Sequence, residues 1–149
     1  MSAARASIRP LTATDFDGWL PLWQAYLTFY DSTLPVTVTE HSFARLTDPQ
    51  ARERGGFVAT VDGELVGLVH YIFHAHNWRI EEVCYLQDLY VAPKGRGMGT
   101  GRALIEAVYA MADDKGCPSV YWMTQEFNAT ARALYDRVAT KTPFIKYQR

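Results

Sequence analysis

The chain is poor in several things that would otherwise narrow its function. It has two cysteines, Cys84 and Cys117, in 149 residues. Two at that spacing make no metal motif, and both are read as reduced thiols of a cytoplasmic protein. No apolar run approaches the ~20 residues that a membrane helix needs. The N-terminus, "MSAARASIRPL", lacks the apolar segment of a signal peptide, so a cytoplasmic location without a membrane partner is expected. The formal net charge is −1, which leaves no global basic field for nucleic acid. Internal repeats and low-complexity linkers are missing too, so residues 1–149 are read as a single domain. Hydrophobic residues make up 48% and charged residues 21%, the composition of a folded core rather than a disordered chain.

What the chain does have in density is glycine in one place. "VAPKGRGMGTGRALI", from Val91 to Ile105, alternates Gly95, Gly97, Gly99 and Gly101 with other residues and carries Arg96 and Arg102. Glycine opposes both helix and strand, because it loses the most backbone freedom on folding.

The surrounding pattern places that run. Ser7 to Arg9 reads as a short strand, and Thr14 as the N-cap of a helix carrying Trp19, Leu22, Trp23, Tyr26, Leu27 and Tyr30 at helical spacing. Pro21 falls in a first turn or at a kink. Thr39 to Leu46 reads as a second helix. Phe57 to Val61 and Glu64 to Phe73 flank Asp62-Gly63, the signature of a tight hairpin. Val83 to Val91 is the next strand. Gly99 to Asp114 is an amphipathic helix stopped by Gly116 and Pro118. Val120 to Met123, Asn128 to Val138 and Phe144 to Tyr147 read as strand, helix and strand. The result is a mixed α/β domain with a parallel crossover from Val83 through the helix to Met123.

The glycine run therefore lies between a strand and a helix, where unpaired backbone N–H groups and the helix dipole favour an anion. Arg96 and Arg102 add positive charge, so the stretch reads as a diphosphate cradle. It is not a Walker loop, because Gly-Lys-Ser/Thr is missing. Nor does it have the Gly-x-Gly-x-x-Gly spacing of a dinucleotide site: from Gly95 the third position is Thr100, and from Gly97 it is Arg102. A Rossmann-type nucleotide enzyme is disfavoured on that spacing.

Arg96-Gly97-Met98-Gly99-Thr100-Gly101 has an R-x-x-G-x-G pattern, and with it the chain resembles the GNAT superfamily of N-acetyltransferases, which hold the pyrophosphate of acetyl-CoA on that motif. "YLQDLYVAP" is similar to the family's central strand, "NATARALYDRV" to its second cofactor element, and "FIKY" to its last strand. The closest flavour is the polyamine or histone/polyamine acetyltransferase type. The resemblance implies a GNAT fold, a mixed central sheet with splayed parallel central strands flanked by helices. It implies that Leu89, Tyr90 and Val91 offer main-chain groups to the pantetheine arm, that the N–H groups from Gly97 to Arg102 hold the pyrophosphate, that Asn128 binds the pantetheine amide region, and that Tyr135 points at the thioester sulfur. Acetyl-CoA is the implied cosubstrate, a primary amine (a small amine, a polyamine or a lysine side chain) the implied acceptor, and a homodimer the implied assembly.

The chemistry needs a base, since an alkyl amine near pKa ~10.4 is almost wholly protonated at pH 7. In polyamine-acetylating relatives the central strand reads Leu-Glu-Asp, with the glutamate as the favoured base. Here the segment is Leu86-Gln87-Asp88, and Gln87 cannot take a proton. Asp88 is one candidate, although strand alternation puts it on the opposite face from Gln87 unless a bulge intervenes. Glu82, with Glu81 beside it, is the other, acting through water. Tyr135 is expected to donate a hydrogen bond to the developing thiolate, and a proton only if its pKa is lowered. The substitution at Gln87 also motivates a second reading, a non-catalytic acyl-CoA-binding sensor.

Other residues carry less. His74 and His76 share a strand face but lack a third ligand, so no metal is expected. His70 and His41 stand alone. Trp19, Trp23, Tyr26, Phe29 and Tyr30 read first as core, and second as an acceptor wall able to face a cation. Asp31, Glu40 and Asp48 are solvated acids or an attraction for a cationic acceptor.

Overall fold

Five strands form one sheet in the order β1-β2-β3-β4-β5, in a computed structural model that describes residues 5–149. The reading of the N-terminus rests in part on residues 1–4, which lie outside the described residues. The strands are β1 (Ser7–Pro10), β2 (Arg54–Val61), β3 (Glu64–His74), β4 (Val83–Val91) and β5 (Val120–Tyr121). The first three neighbouring pairs are antiparallel; β4 and β5 are parallel. The helices are α1 (Phe16–Phe29), α2 (Val36–Leu46), α3 (Thr100–Asp114) and α4 (Ala129–Val138). Among the described residues no helix is long and apolar enough to cross a membrane.

Local chemistry explains most of these boundaries. At the β2–β3 turn Asp62 has φ 51° and Gly63 φ 79°, the pair of left-handed residues that a two-residue hairpin with the right twist requires. α3 ends in a Schellman arrangement: Gly116 has φ 72°, and the Cys117 N–H reaches back to the Ala112 carbonyl at 2.9 Å. The helical chain starts at Ala13, earlier than Thr14 as N-cap implies, although α1 itself opens at Phe16. The Thr12 N–H donates to the Asp15 carboxylate at 2.8 Å, and a 3-10 turn at Ala13–Asp15 runs into the helix. Pro21 is consequently interior to α1 and solvent-exposed, so water can take the carbonyl it leaves free. α2 begins at Val36, directly after Pro35, three residues before the expected start.

Two apolar clusters sandwich the sheet. On one face Leu104, Ile105, Val108 and Ala112 of α3 pack on Ala59, Val69, Phe73, Cys84 and Leu86, with Leu134 and Tyr135 of α4 alongside. On the other, Trp19, Leu22 and Trp23 of α1 and Phe43 of α2 pack on Val58 and Leu68. The helical spacing in α1 builds an aromatic ladder: Trp19 stacks on Trp23 at 5.5 Å, and Trp23 on Tyr26 at 5.5 Å.

Two strand expectations need correction. β5 covers Val120–Tyr121 rather than Val120 to Met123, and Phe144 to Tyr147 is not a strand. The reason is the same in both cases. A strand requires a partner ladder, and β5 keeps register with β4 only at Cys84↔Val120 and Tyr85↔Tyr121 before the two part. No edge long enough to receive the tail remains, and Phe144, Ile145 and Tyr147 stand exposed.

The start of the fold is tied by Arg9, which donates two hydrogen bonds to Asp15 at 2.9 and 2.8 Å. That guanidinium holds the Asp15 carboxyl down from its ordinary range to about 2. A depressed carboxylate stabilises above its unfolded pKa and loses the contribution as pH falls through the folded one. Thermal unfolding followed between pH 5 and pH 2 should therefore show wild type losing about 1 kcal/mol, after solvent screening, that Asp15→Asn never had. Parallel curves for the two proteins would contradict this.

Candidate active site

β4 carries one residue too many for its partner. The register runs Leu68↔Tyr90, Val69↔Leu89 and His70↔Asp88, then jumps to Tyr71↔Leu86. Gln87 is the unpaired extra residue, a β-bulge. Before it, Cys84 and Leu86 face α3; after it, Leu89 and Val91 do. The parity switch turns Asp88 onto the α1 side. Gln87 is exposed and Asp88 buried, yet both line one cavity of about 100 Å³, together with His70, Arg54 and the apolar walls of Trp23 and Ile72.

The bulge also re-aims the backbone. The Cys84 N–H donates to Ser119, on the β5 side, at 2.9 Å. Beyond the bulge the Ala92 N–H donates to Val66, on the β3 side, at 2.8 Å. By alternation the main-chain groups of Tyr90 pair with Leu68, whereas those of Leu89 and Val91 face the edge that β5 has left. The Val91 carbonyl on that edge accepts from Arg96 Nε at 3.1 Å.

The glycine run connects this edge to α3, and its glycines have different tasks. Gly95 is buried against Val66, where an added Cβ would come within 3.0 Å. Gly97 and Gly99 both have φ 78°, and an added Cβ at either would meet nothing within 4 Å. They turn the chain while leaving its outer side open. Gly101 lets Leu134 of α4 close on α3. The Thr100 hydroxyl is spent on the Gly95 carbonyl at 2.7 Å. Ala103 is the first residue of this turn whose N–H is bonded, to Gly99 at 3.0 Å. Among the described residues the N–H groups from Gly97 to Arg102 donate to no acceptor. Arg96 is exposed, Met98 half-buried, and Arg102 pairs with Glu106 at 2.8 Å. Open N–H groups at a helix start flanked by guanidinium groups are chemically suited to an anion.

Where β4 and β5 part, the two faces of the sheet communicate. Tyr30, at the end of α1, and Tyr135, on α4, lie on opposite faces, yet the charge of Tyr30 reaches Tyr135. The Tyr30 hydroxyl interacts with Thr124, whose hydroxyl accepts from Asn128 Nδ2 at 3.3 Å. Asn128 caps α4. Asp88 faces Tyr26, Tyr30 and Tyr85. Burial pushes the Tyr135 phenol up to about 12, with Trp122 edge-on at 5.4 Å. Tyr30 thus links the Asp88 side of the sheet to Thr124, Asn128 and Tyr135 across the gap where β4 and β5 part. Glu82 does not join them: it is exposed, and six residues of β4 put it about 20 Å from Asp88.

Several participants were not visible in sequence. His70 bonds Asp88 through Nδ1 at 2.9 Å and Trp19 through Nε2 at 3.0 Å. Tyr26 and Tyr30 leave the core stripe to face Asp88. His74 is committed to Tyr121 at 2.7 Å, and among the described residues no group of three acidic, His or Cys side chains is placed to hold a metal. A second cavity, about 320 Å³, is lined only by α1, α2 and their connection; it includes Glu40 but none of the catalytic or cofactor-binding residues expected from sequence.

The model of the Acetyltransferase (GNAT) family matches residues 18–139. The chain belongs to this family. As a GNAT domain it is an N-acetyltransferase, and its curated relatives have that activity in their names. It is 39% identical to the D-amino-acid N-acetyltransferase HPA3 of Saccharomyces cerevisiae over 97% of this chain and 91% of the relative. It is 32% identical to the thialysine N-epsilon-acetyltransferase of Caenorhabditis elegans, over 56% of this chain and 51% of that one. The GNAT fold is shared with the aminoglycoside acetyltransferase AAC(6')-Iy, solved with the bisubstrate analog CoA-S-monomethyl-acetylneamine. That match has a TM-score of 0.84 at 21% identity and covers 98% of each chain.

A buried Tyr135 should titrate late. In a spectrophotometric titration, the difference between wild type and Tyr135→Phe should show this phenolate emerging only near pH 12. A difference already complete near the ordinary value of ~10 would contradict the burial that the gap imposes.

Proposed function

We propose that this enzyme moves an acetyl group from acetyl-CoA to a primary amine by direct attack, without an acyl-enzyme. One observation carries the reading: the amides from Gly97 to Arg102, without backbone acceptors, follow directly on the edge of β4 that β5 leaves unpaired. The residues fit the cosubstrate. Its diphosphate needs several N–H donors and positive charge without side chains in the way, which Gly97 and Gly99 provide beside Arg96 and Arg102. The Leu89 and Val91 main chain suits an extended amide-bearing arm, as an added strand would. Acetyl-CoA, when bound, supplies the acetyl thioester.

The chain's own residues then divide the proton work. Deprotonating an ordinary alkyl amine costs about 4–5 kcal/mol at pH 7. We assign its proton to the Asp88 carboxylate, the acid at the gap, and not to Glu82. For Tyr135, full transfer from a phenol near 12 to a thiolate of ordinary pKa is uphill by about 5 kcal/mol. Its role is therefore a hydrogen bond to the thiolate as charge develops, not donation of the proton.

Small amino acids are the first acceptors to consider. Both named relatives point to amines on such molecules, and the cavity at Asp88 also holds Arg54, a counterpart for a carboxylate. We also place the enzyme in the cytoplasm, which its free thiols suit, as a homodimer that covers Phe144, Ile145 and Tyr147.

The test is release of CoA thiol over a panel of D- and L-amino acids, polyamines, aminoglycosides and lysine peptides, with Gly99→Asp alongside. Wild type should turn over at least one amine and be stabilised thermally by CoA. Gly99→Asp should fold but lose that stabilisation, because its carboxylate stands where phosphate belongs. Stabilisation by CoA without turnover of any amine would overturn the transferase reading. An undiminished response of Gly99→Asp would overturn the cradle.

A further inference from the structure

Asp88 does not stand alone in the gap. The Trp19 indole N–H donates to His70 Nε2 at 3.0 Å, and His70 Nδ1 lies 2.9 Å from Asp88 Oδ2. All three are buried: Trp19 is 0%, His70 2% and Asp88 8% exposed. An indole nitrogen only donates, so the Nε2 it meets must carry a lone pair. A neutral imidazole then has its proton on Nδ1, and that proton goes to Asp88. Trp19 thus selects the tautomer, and the tautomer fixes one carboxylate oxygen. Trp23 confines the ring from the side, at 5.5 Å between centroids.

The arrangement spans α1, β3 and β4, and depends on the bulge that sets Asp88 opposite His70. With Oδ2 engaged by Nδ1–H, Asp88 cannot rotate freely, and Oδ1 is the oxygen that His70 leaves, with the Tyr26 hydroxyl beside the carboxylate, for a proton arriving from the gap. Protonating His70 at Nε2 would displace the Trp19 bond, so the imidazole is not itself the acceptor of that proton. We infer that His70, held by Trp19, is a positioning residue that orients the Asp88 carboxylate for the incoming amine. This rests on the reading of Asp88 as the base in an amine acetyltransferase.

The experiment compares three variants on the best amine found. His70→Asn places an amide N–H near the site of Nδ1–H. His70→Gln places its amide toward Trp19 and leaves Asp88 without a donor. His70→Leu removes both bonds. For Gln and Leu the expected loss in kcat/KM for the amine is about 10- to 100-fold, the worth of one hydrogen bond to a charged group, and it falls mainly on kcat. Asn should recover to within about 3-fold of wild type, and KM for acetyl-CoA should be unchanged in all three. If His70→Leu does not fold, the comparison of Asn with Gln decides. An active wild type with equal Asn and Gln variants overturns this inference alone, as does a parallel rise in KM for acetyl-CoA. A wild type inactive on every amine overturns the proposed function, and this inference with it.

Discussion

One extra residue in β4 governs the geometry of the candidate active site. If Gln87 were paired like its neighbours, alternation would send Asp88 into the α3 core and turn the main chain of Leu89 and Val91 toward β3. The bulge reverses both. It puts a carboxylate opposite His70 on the α1 side, and it aims two main-chain positions at the edge left by β5. Pairing with β5 stops at Tyr85, two residues before the bulge, so β4 is anchored on both sides in its first part and on one side beyond it. The strand is thereby divided into a structural half and a half whose outward main-chain groups no strand pairs, the Val91 carbonyl being held by Arg96.

The loop that follows extends the same opening. Two of its glycines serve packing: Gly95 lies on β3 and Gly101 admits α4. The other two take left-handed turns with nothing before them. That division gives the glycines clustered at the start of α3 two separate tasks. Gly97 and Gly99 bend the chain where its amides have no backbone acceptor, and the contacts of Gly95, Thr100 and Gly101 hold that bend in place. Helices from both faces then supply side chains to the gap: Tyr26 and Tyr30 from the α1 side, Asn128 and Tyr135 from α4.

The sequence was most legible where structure is local. Asp62-Gly63 announced the hairpin because only left-handed residues make that turn, and α3 followed from apolar spacing and Gly116. The R-x-x-G-x-G pattern led to the family that residues 18–139 match. Legibility failed where a partner strand decides. The spacing of Leu86, Gln87 and Asp88 cannot say which residue β3 leaves unpaired. His70 looked solitary because its partners lie 51 and 18 positions away along the chain. "FIKY" has the residues of a strand, but β5 offers this chain no edge on which to form one. The substitution of Gln87 for a glutamate suggested a lost base, whereas the register shows a buried carboxylate one position later on the same side of the sheet.

The central claim is that the edge of β4 beyond the bulge and the amides of the glycine loop form one continuous binding track. Titrating CoA into isotopically labelled protein and following each backbone amide by NMR tests it most directly. The account predicts that Leu89, Val91 and the amides from Gly97 to Arg102 shift together, with Tyr90 much less affected because its groups are held by β3. Perturbations centred elsewhere, or a loop that stays silent while CoA binds, would contradict it.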